Sequence, residues 1–183
     1  MQTLVIKPEL YPTCPREWDN VGTMVTWHRR YRIGDEHEFS TPDDFKAEVT
    51  DDNSVILPLF LYDHSIQSVS TRSFIGRAHH ADWDSAQVGW IYASKEKIRQ
   101  EFGCKRVTKK VIERVEALLK GEVEQYDQYL RGDIYRFELS DENGEVVDSC
   151  GGFYGDDWEN NGLKDHIPDE LHSQLEDIEI TFS

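Results

Sequence analysis

The clearest structural signal in this sequence is a β-hairpin predicted over residues 134–150. Two segments with alternating apolar residues flank Asn143-Gly144, a dipeptide typical of tight turns. A three-residue loop ending at Gly144 would place Leu139 opposite Val147, whereas a two-residue loop would place Leu139 opposite Asp148. The apolar pairing favours the three-residue loop, with Gly144 in the left-handed conformation. We therefore predict an antiparallel sheet that contains this hairpin.

The remaining strands are expected to be short. Apolar or alternating segments predict them over residues 3–6, 22–29, 55–62, 87–93 and 178–182. Pro58 lies inside the third of these segments. Because proline has no N–H to donate to a neighbouring strand, we expect a bulge or a sheet edge at this position.

Helices are predicted by their caps and by apolar periodicity. Thr41, followed by Pro42, is typical of a helix start, as is Ser94 before a helix that ends at Gly103. An apolar stripe predicts another helix from about Thr108, and we expect Gly121 to separate it from the helical stretch that follows. The predicted fold class is α+β, an antiparallel-dominated β-sheet with about three helices packed on it.

The chain of 183 residues is expected to form a single domain, residues 1–183. An irregular, proline-rich loop is expected over residues 8–20, and residues 121–183 form an acidic C-terminal third. The composition, with 31% charged and 11% aromatic residues, is typical of a folded protein. Three scattered cysteines, no signal-peptide pattern and no apolar run of membrane-spanning length predict a soluble, cytoplasmic protein.

Charge is distributed unevenly along the chain, whose net charge is −16. Residues 121–183 contain 18 Asp and Glu against 3 Lys and Arg, whereas residues 95–120 contain 9 Lys and Arg against 4 Asp and Glu. An acidic surface of this kind repels phosphates, so we expect neither direct binding to nucleic acid nor binding to an anionic membrane. It favours a basic protein as the partner. The predicted partner-binding residues are Glu122, Glu124, Asp127, Glu138, Asp141, Glu142, Glu145, Asp148, Asp156, Asp157 and Glu159.

Two basic groups have alternative interpretations. Arg16, Arg29 and Arg30 are possible contacts for a carboxylate or phosphate, but internal pairing with Asp19, Asp35 or Glu36 is the favoured interpretation. A second group of cations lies at residues 105–114. These cations are either a nucleic-acid contact or, as we favour, paired with the protein's own carboxylates.

Histidine and aspartate groups at residues 28–37 and 79–84 suggest a metal site, but their spacing is not that of a metal-binding helix. Residues 157–162 resemble the start of a calcium loop. The twelfth position, which should supply a glutamate, is Pro168, so a plain acidic turn is favoured over weak calcium binding. We predict no bound metal, no cofactor and no catalytic residues.

Four segments carry a family resemblance: PREWDNVGTMVTWHRRYRIGDEH, LPLFLYDHS, WDSAQVGWIYASKEKI and GEVEQYDQYLRGDIYRFELSDENGEVVDSCGGFYG. Together they resemble a family of small acidic proteins of bacteriophages and other mobile elements. This family, largely without assigned function, is similar to anti-CRISPR inhibitors of Cas9-type effectors. The resemblance covers most of residues 10–155 and does not extend to the acidic end of the chain.

Charge and resemblance together predict a phage-type counter-defence protein. It would be a non-enzymatic inhibitor that binds a basic, nucleic-acid-handling host protein. The resemblance implies a Cas9-type effector as the example. The inhibitor would compete with DNA for this target as a DNA mimic. One alternative is a small metal-dependent hydrolase that uses the groups at 28–37 and 79–84. Another is a phage accessory protein without catalytic activity.

Overall fold

The computed structural model describes residues 2–175 and 178–181. The chain forms two compact units. The acidic unit comprises Met1–Cys14 and Gln128–Ser183, and the central unit comprises Pro15–Asp127. Each contains its own antiparallel sheet. The predicted α+β class is confirmed, with two sheets where one was expected. That the chain folds as a single domain stays a prediction.

Seven strands and four α-helices are present in the described part of the chain. The strands are β1 Thr3–Pro8, β2 Thr23–Thr26, β3 Ser54–His64, β4 Ile66–Ser70, β5 Ser85–Ser94, β6 Ile134–Ser140 and β7 Val146–Tyr154. The α-helices are α1 Pro42–Glu48, α2 Ala81–Asp84, α3 Lys95–Glu101 and α4 Lys109–Arg131. Short 3-10 helices span Pro15–Glu17, Leu163–His166 and Asp169–Gln174. None of the helices in these residues is both long and apolar enough to cross a membrane.

The sheet of the central unit has the strand order β2-β5-β3-β4. β3 pairs with β5 along most of its length, and β4 joins its other side only from Phe60 onward. Pro58 therefore lies in the half of β3 that has one neighbour, and a register shift follows between Leu59 and Phe60. The sheet edge and the bulge that were expected at Pro58 are thus both present, the bulge directly after Leu59.

The predicted helix caps are confirmed. The Thr41 side chain accepts a hydrogen bond from the Asp44 amide, and the Asp44 carboxylate accepts one in return from the Thr41 amide. This capping box seats α1 so that the ring of Phe45 stacks on Trp90 in the core, with 5.2 Å between ring centroids. Ser94 caps α3 in the same way, by accepting from the Lys97 amide.

The predicted break at Gly121 is wrong, because α4 is one helix of 23 residues. Its buried side chains, Val115, Leu119, Val123 and Tyr126, continue in helical phase on both sides of the glycine. A glycine in a helix costs only about 1 kcal/mol relative to alanine. Burial of the apolar side chains beyond it outweighs that cost, so helix formation continues through Gly121.

The sheet of the acidic unit has the order β1-β6-β7. Its core is formed by Leu4, Ile6, Phe137, Leu139, Phe153, Leu163, Ile167, Leu171 and Leu175. The final strand predicted over 178–182 is reduced to a single parallel bridge between Ile180 and Ile6, supported by a 2.8 Å hydrogen bond from the Thr181 amide to the Ile6 carbonyl. Residue 182 lies outside the described residues.

The hairpin has the predicted loop but a different register. The Asp141 amide donates to the Glu145 carbonyl at 2.9 Å, which leaves residues 142–144 as the loop, and Gly144 has φ of +83°. Leu139 pairs with Asp148, while Ser140 pairs with Val146, so Val147 is the extra residue of a β-bulge. The predicted pairing of Leu139 with Val147 is therefore wrong. Since β7 is an edge strand, it can accommodate such a bulge while Leu139 stays in the core.

Candidate functional site

The acidic unit carries most of the protein's net charge. Its sequence contains 16 Asp and Glu against 4 Lys and Arg, a net charge of −12. In its described residues a single Lys or Arg side chain, that of Arg131, is exposed, and it pairs with Asp133 at 2.8 Å. Ten described carboxylates are exposed: Glu142, Glu145, Asp148, Asp156, Asp157, Glu159, Asp165, Asp169, Glu170 and Glu179.

The hairpin loop holds part of this acidic surface in a fixed conformation. The Asp141 carboxylate accepts hydrogen bonds from the backbone amides of Asn143, at 2.8 Å, and Glu145, at 3.0 Å. The bonds from Glu145 and Asn143 lower the pKa of Asp141 below its ordinary value. Asp141 therefore acts as the internal acceptor of the loop, while Glu142 and Glu145 are exposed beside it.

A cleft of about 620 Å³ lies between this loop and the 3-10 helix Asp169–Gln174. Three carboxylates line it, those of Asp141, Glu142 and Glu170, together with amide side chains such as Gln174. Carboxylates and amide oxygens accept hydrogen bonds from the guanidinium of arginine or the ammonium of lysine. The cleft is therefore suited to a basic side chain of a protein partner.

The other predicted carboxylates of this unit differ in their availability. Glu138 is half-buried, and a 2.6 Å hydrogen bond from Lys7 lowers its pKa. Asp156 and Asp157 are exposed, and Glu159 pairs with Lys164 at 2.6 Å. Asp157 begins a turn in which its carbonyl accepts from the Asn161 amide. The structure thus places an acidic turn where residues 157–162 resembled a calcium loop.

Two of the predicted partner-binding residues are engaged inside the central unit. The Glu122 carboxylate accepts hydrogen bonds from the amides of Val21, at 2.8 Å, and Gly22, at 3.1 Å, and its side chain is only 11% exposed. The Asp127 carboxylate accepts from the Ser68 hydroxyl and from a backbone amide of β4. The structure therefore removes both from the predicted binding surface, whereas Glu124 is exposed on the same helix.

Arg16 is the centre of this internal network. Its guanidinium donates to both carboxylate oxygens of Asp35, at 2.9 and 2.6 Å, to Glu122 and to the Gly22 carbonyl. Burial opposes the charged form of Arg16, but these carboxylates outweigh burial and raise its pKa. Internal pairing was the favoured interpretation for all three arginines. It is confirmed for Arg16, through Asp35, and is wrong for Arg29 and Arg30, which form no ion pair among the described residues. With a side chain only 6% exposed, Arg16 is not a contact for an external anion.

Arg29 and Arg30 have a different environment. Both are exposed, and neither makes a hydrogen bond or ion pair with any residue that the structure describes. They line a cleft of about 780 Å³ formed by residues 26–33 and 35–37. In the same segment Arg32 pairs with Glu36, and the His28 ring stacks on that of Tyr31, with centroids 5.1 Å apart.

The basic residues before and at the start of α4 correct another expectation. Lys105, Arg106, Lys109 and Lys110 are exposed, and within the described ranges none of them forms an ion pair. The favoured interpretation, pairing with the protein's own carboxylates, is therefore wrong for these four. Arg114 lies over the Phe102 ring, 5.2 Å from its centroid.

The histidine groups do not assemble into a metal centre in the described chain, where no cluster of three or more His, Cys, Asp or Glu side chains is placed to hold a metal ion. His64 contacts Asp84 at 2.8 Å, and the rings of His79 and His80 are 3.9 Å apart. His37 contacts the Thr26 carbonyl through Nε2. Trp83, which is 89% exposed, is not among the predicted site residues, although an isolated tryptophan among aspartates and histidines is a signal in the sequence.

Comparisons with protein-family models, with curated proteins and with solved structures gave no match to this chain.

Proposed function

We propose that the protein is a phage-type counter-defence protein, a non-enzymatic inhibitor that binds a basic surface of a nucleic-acid-handling host protein. The exposed carboxylates of the acidic unit form the binding surface. A Cas9-type effector in the host cytoplasm is the leading target. The observation that carries the proposal is the imbalance of charge in this unit, where ten described carboxylates are exposed against one exposed Lys or Arg side chain.

The physical basis is electrostatic. A surface of one sign steers a partner of opposite sign during diffusion and discriminates against partners of like sign. Proteins that handle nucleic acid carry basic channels; a CRISPR effector holds its guide heteroduplex in one of them and reads the adjacent motif with arginines. The hydrogen-bonded hairpin loop and the neighbouring carboxylate-lined cleft offer arginine and lysine side chains both exposed charge and a defined pocket. The acidic unit would thus compete with DNA for such a channel.

Charge reversal on the hairpin tests this proposal. The test variant is Glu142→Lys/Glu145→Lys/Asp148→Lys. The matched control, Glu96→Lys/Glu101→Lys/Glu113→Lys, makes the same change in net charge at exposed positions of the central unit. Binding to a guide-loaded Cas9-type effector is measured at low and at physiological salt, beside cleavage of target DNA. Lysozyme serves as a basic protein without a role in handling nucleic acid.

We expect the hairpin variant to lose about tenfold or more in affinity and the control variant to bind nearly as the parent does. Affinity of the parent should fall as salt rises, because charges near a surface are screened over about 8–10 Å at physiological ionic strength. Equal losses in both variants would mean that only net charge matters. Parent-like binding by the hairpin variant would exclude the proposed surface. Equally tight binding of the parent to lysozyme would exclude a specific preference for a protein that handles nucleic acid.

A further inference from the structure

Two adjoining clefts of the central unit share lining residues. The cleft of about 780 Å³ around Arg29 and Arg30 and a second cleft of about 300 Å³ are both lined by His28 and Arg30. The second cleft is also lined by Trp83 and by apolar side chains, including Leu61. A ligand that spans both clefts therefore meets basic groups at one end and an aromatic ring at the other.

The basic end has two guanidinium groups that the protein does not neutralise. Both carboxylates that line the larger cleft are already engaged, since Asp35 is held by Arg16 and Glu36 by Arg32. Arg29 and Arg30 remain exposed and without a partner among the described residues. The planar fork of a guanidinium matches two oxygens of a phosphate group, so the larger cleft is suited to a phosphate.

The aromatic end is formed by Trp83, whose side chain is almost fully exposed. Tryptophan is highly buried on average in folded proteins, so its exposure at the wall of a cleft is unusual. Indole faces stack on the bases of nucleic acids. Asp63 lines the same cleft and can accept hydrogen bonds from the amino group of a base or the hydroxyls of a ribose. The neighbouring Asp84 carboxylate is held by His64.

We propose that the central unit binds a free nucleotide, with its phosphate between Arg29 and Arg30 and its base stacked on Trp83. A single nucleotide is favoured over a nucleic-acid strand on grounds of charge. The net charge of −16 opposes a long polyanion, which would bring many phosphates close to the remaining carboxylates. This site uses no residue of the acidic unit, so it can be tested separately from the proposed inhibition.

Binding is measured by isothermal titration calorimetry at low salt, with the four ribonucleoside monophosphates, inorganic phosphate and a single-stranded oligonucleotide as probes. Arg29→Gln/Arg30→Gln removes the phosphate contacts, and Trp83→Ala removes the stacking ring. The control, Lys105→Gln/Arg106→Gln, removes two exposed charges of the same unit away from the clefts. All substituted side chains are exposed, and thermal unfolding verifies that each variant is folded.

We expect at least one monophosphate to bind the parent and the control alike, and Arg29→Gln/Arg30→Gln to weaken that binding by about tenfold or more. Trp83→Ala should weaken nucleotide binding while leaving the weaker binding of inorganic phosphate unchanged. The proposal is overturned if no monophosphate binds at millimolar concentration, or if the arginine variant binds like the parent. It is also overturned if only the oligonucleotide binds, since the site would then serve a strand instead of a free nucleotide.

Discussion

Replacing Glu122 with lysine should destabilise the protein far more than replacing Glu124, although the two residues lie half a turn apart on α4. Glu122 pairs with Arg16, whose side chain is nearly buried, and it also accepts the amides of Val21 and Gly22. A lysine at this position leaves two amides without an acceptor and places a second cation beside the guanidinium. Glu124 is exposed.

The size of the effect follows from what is left unpaired. Breaking a buried ion pair by removing one partner costs about 3–5 kcal/mol. Each backbone amide that loses its acceptor can add about 1–3 kcal/mol, but the long lysine side chain can turn its ammonium toward water and so limit the total. We therefore expect a loss of about 3–5 kcal/mol in the free energy of unfolding. For a chain of this length that loss corresponds to a decrease of roughly 6–20 °C in Tm.

Thermal and urea unfolding, followed by far-UV circular dichroism, measure this difference. Glu124→Lys makes the same charge change on the same helix and should stay within about 0.5 kcal/mol of the parent. Glu122→Gln, which keeps one acceptor oxygen, should lie between the two. Equal Tm values for Glu122→Lys and Glu124→Lys would refute the structural role of Glu122. They would return Glu122 to the candidates for partner binding.

Three further predictions concern the backbone and the hairpin loop. Gly121→Ala should raise the free energy of unfolding by about 0.5–1 kcal/mol, because the residue lies inside α4 and the added methyl group would enter open space; a lower Tm would contradict this. Gly144→Val should lower the free energy of unfolding, measured in urea, by about 1–3 kcal/mol, because φ of +83° strains a residue with a branched side chain. An unchanged urea midpoint would contradict the loop geometry. Hydrogen bonds lower the pKa of Asp141 in the folded protein. Their contribution to stability should be fully present at pH values above 3.8, the ordinary pKa of aspartate, and should be lost as the pH falls through the lower pKa of the folded state. An NMR titration that follows the amide protons of Asn143 and Glu145 measures this pH dependence. Loss of both hydrogen bonds above pH 3.8 would contradict the prediction.

Local signals predicted local structure well. The capping residues Thr41 and Ser94 act as their sequence context indicated, because a helix cap depends on residues within one turn. The hairpin loop of residues 142–144 was predictable because it, too, depends only on neighbouring residues. The α+β class followed from the sum of such short segments. The continuity of α4 is also present in the sequence, as an apolar stripe in phase across Gly121, and burial of this stripe outweighs the low helix propensity of the glycine.

Long-range pairing could not be read from the sequence. Glu122 accepts a hydrogen bond from the Val21 amide, 101 positions away in the sequence, and Asp127 accepts one from an amide of β4, 58 positions away. No local pattern therefore distinguishes these carboxylates from exposed ones. The bulge at Val147 likewise depends on the place of β7 at the edge of a sheet. The candidate site was therefore predictable as a charged region, but not residue by residue.

The edge position of β7 also bears on how the protein avoids aggregation. An edge strand presents unpaired backbone groups to which another chain can add a strand, and β7 carries the exposed side chains of Val146 and Val147. The bulge at Val147 interrupts the regular backbone that an incoming strand would need. Asp148, next to it, adds an exposed negative charge to this edge, and a second copy would carry the same charge on the same strand. The carboxylates that we propose for attracting a basic partner would thus also disfavour edge-to-edge pairing between copies of this protein.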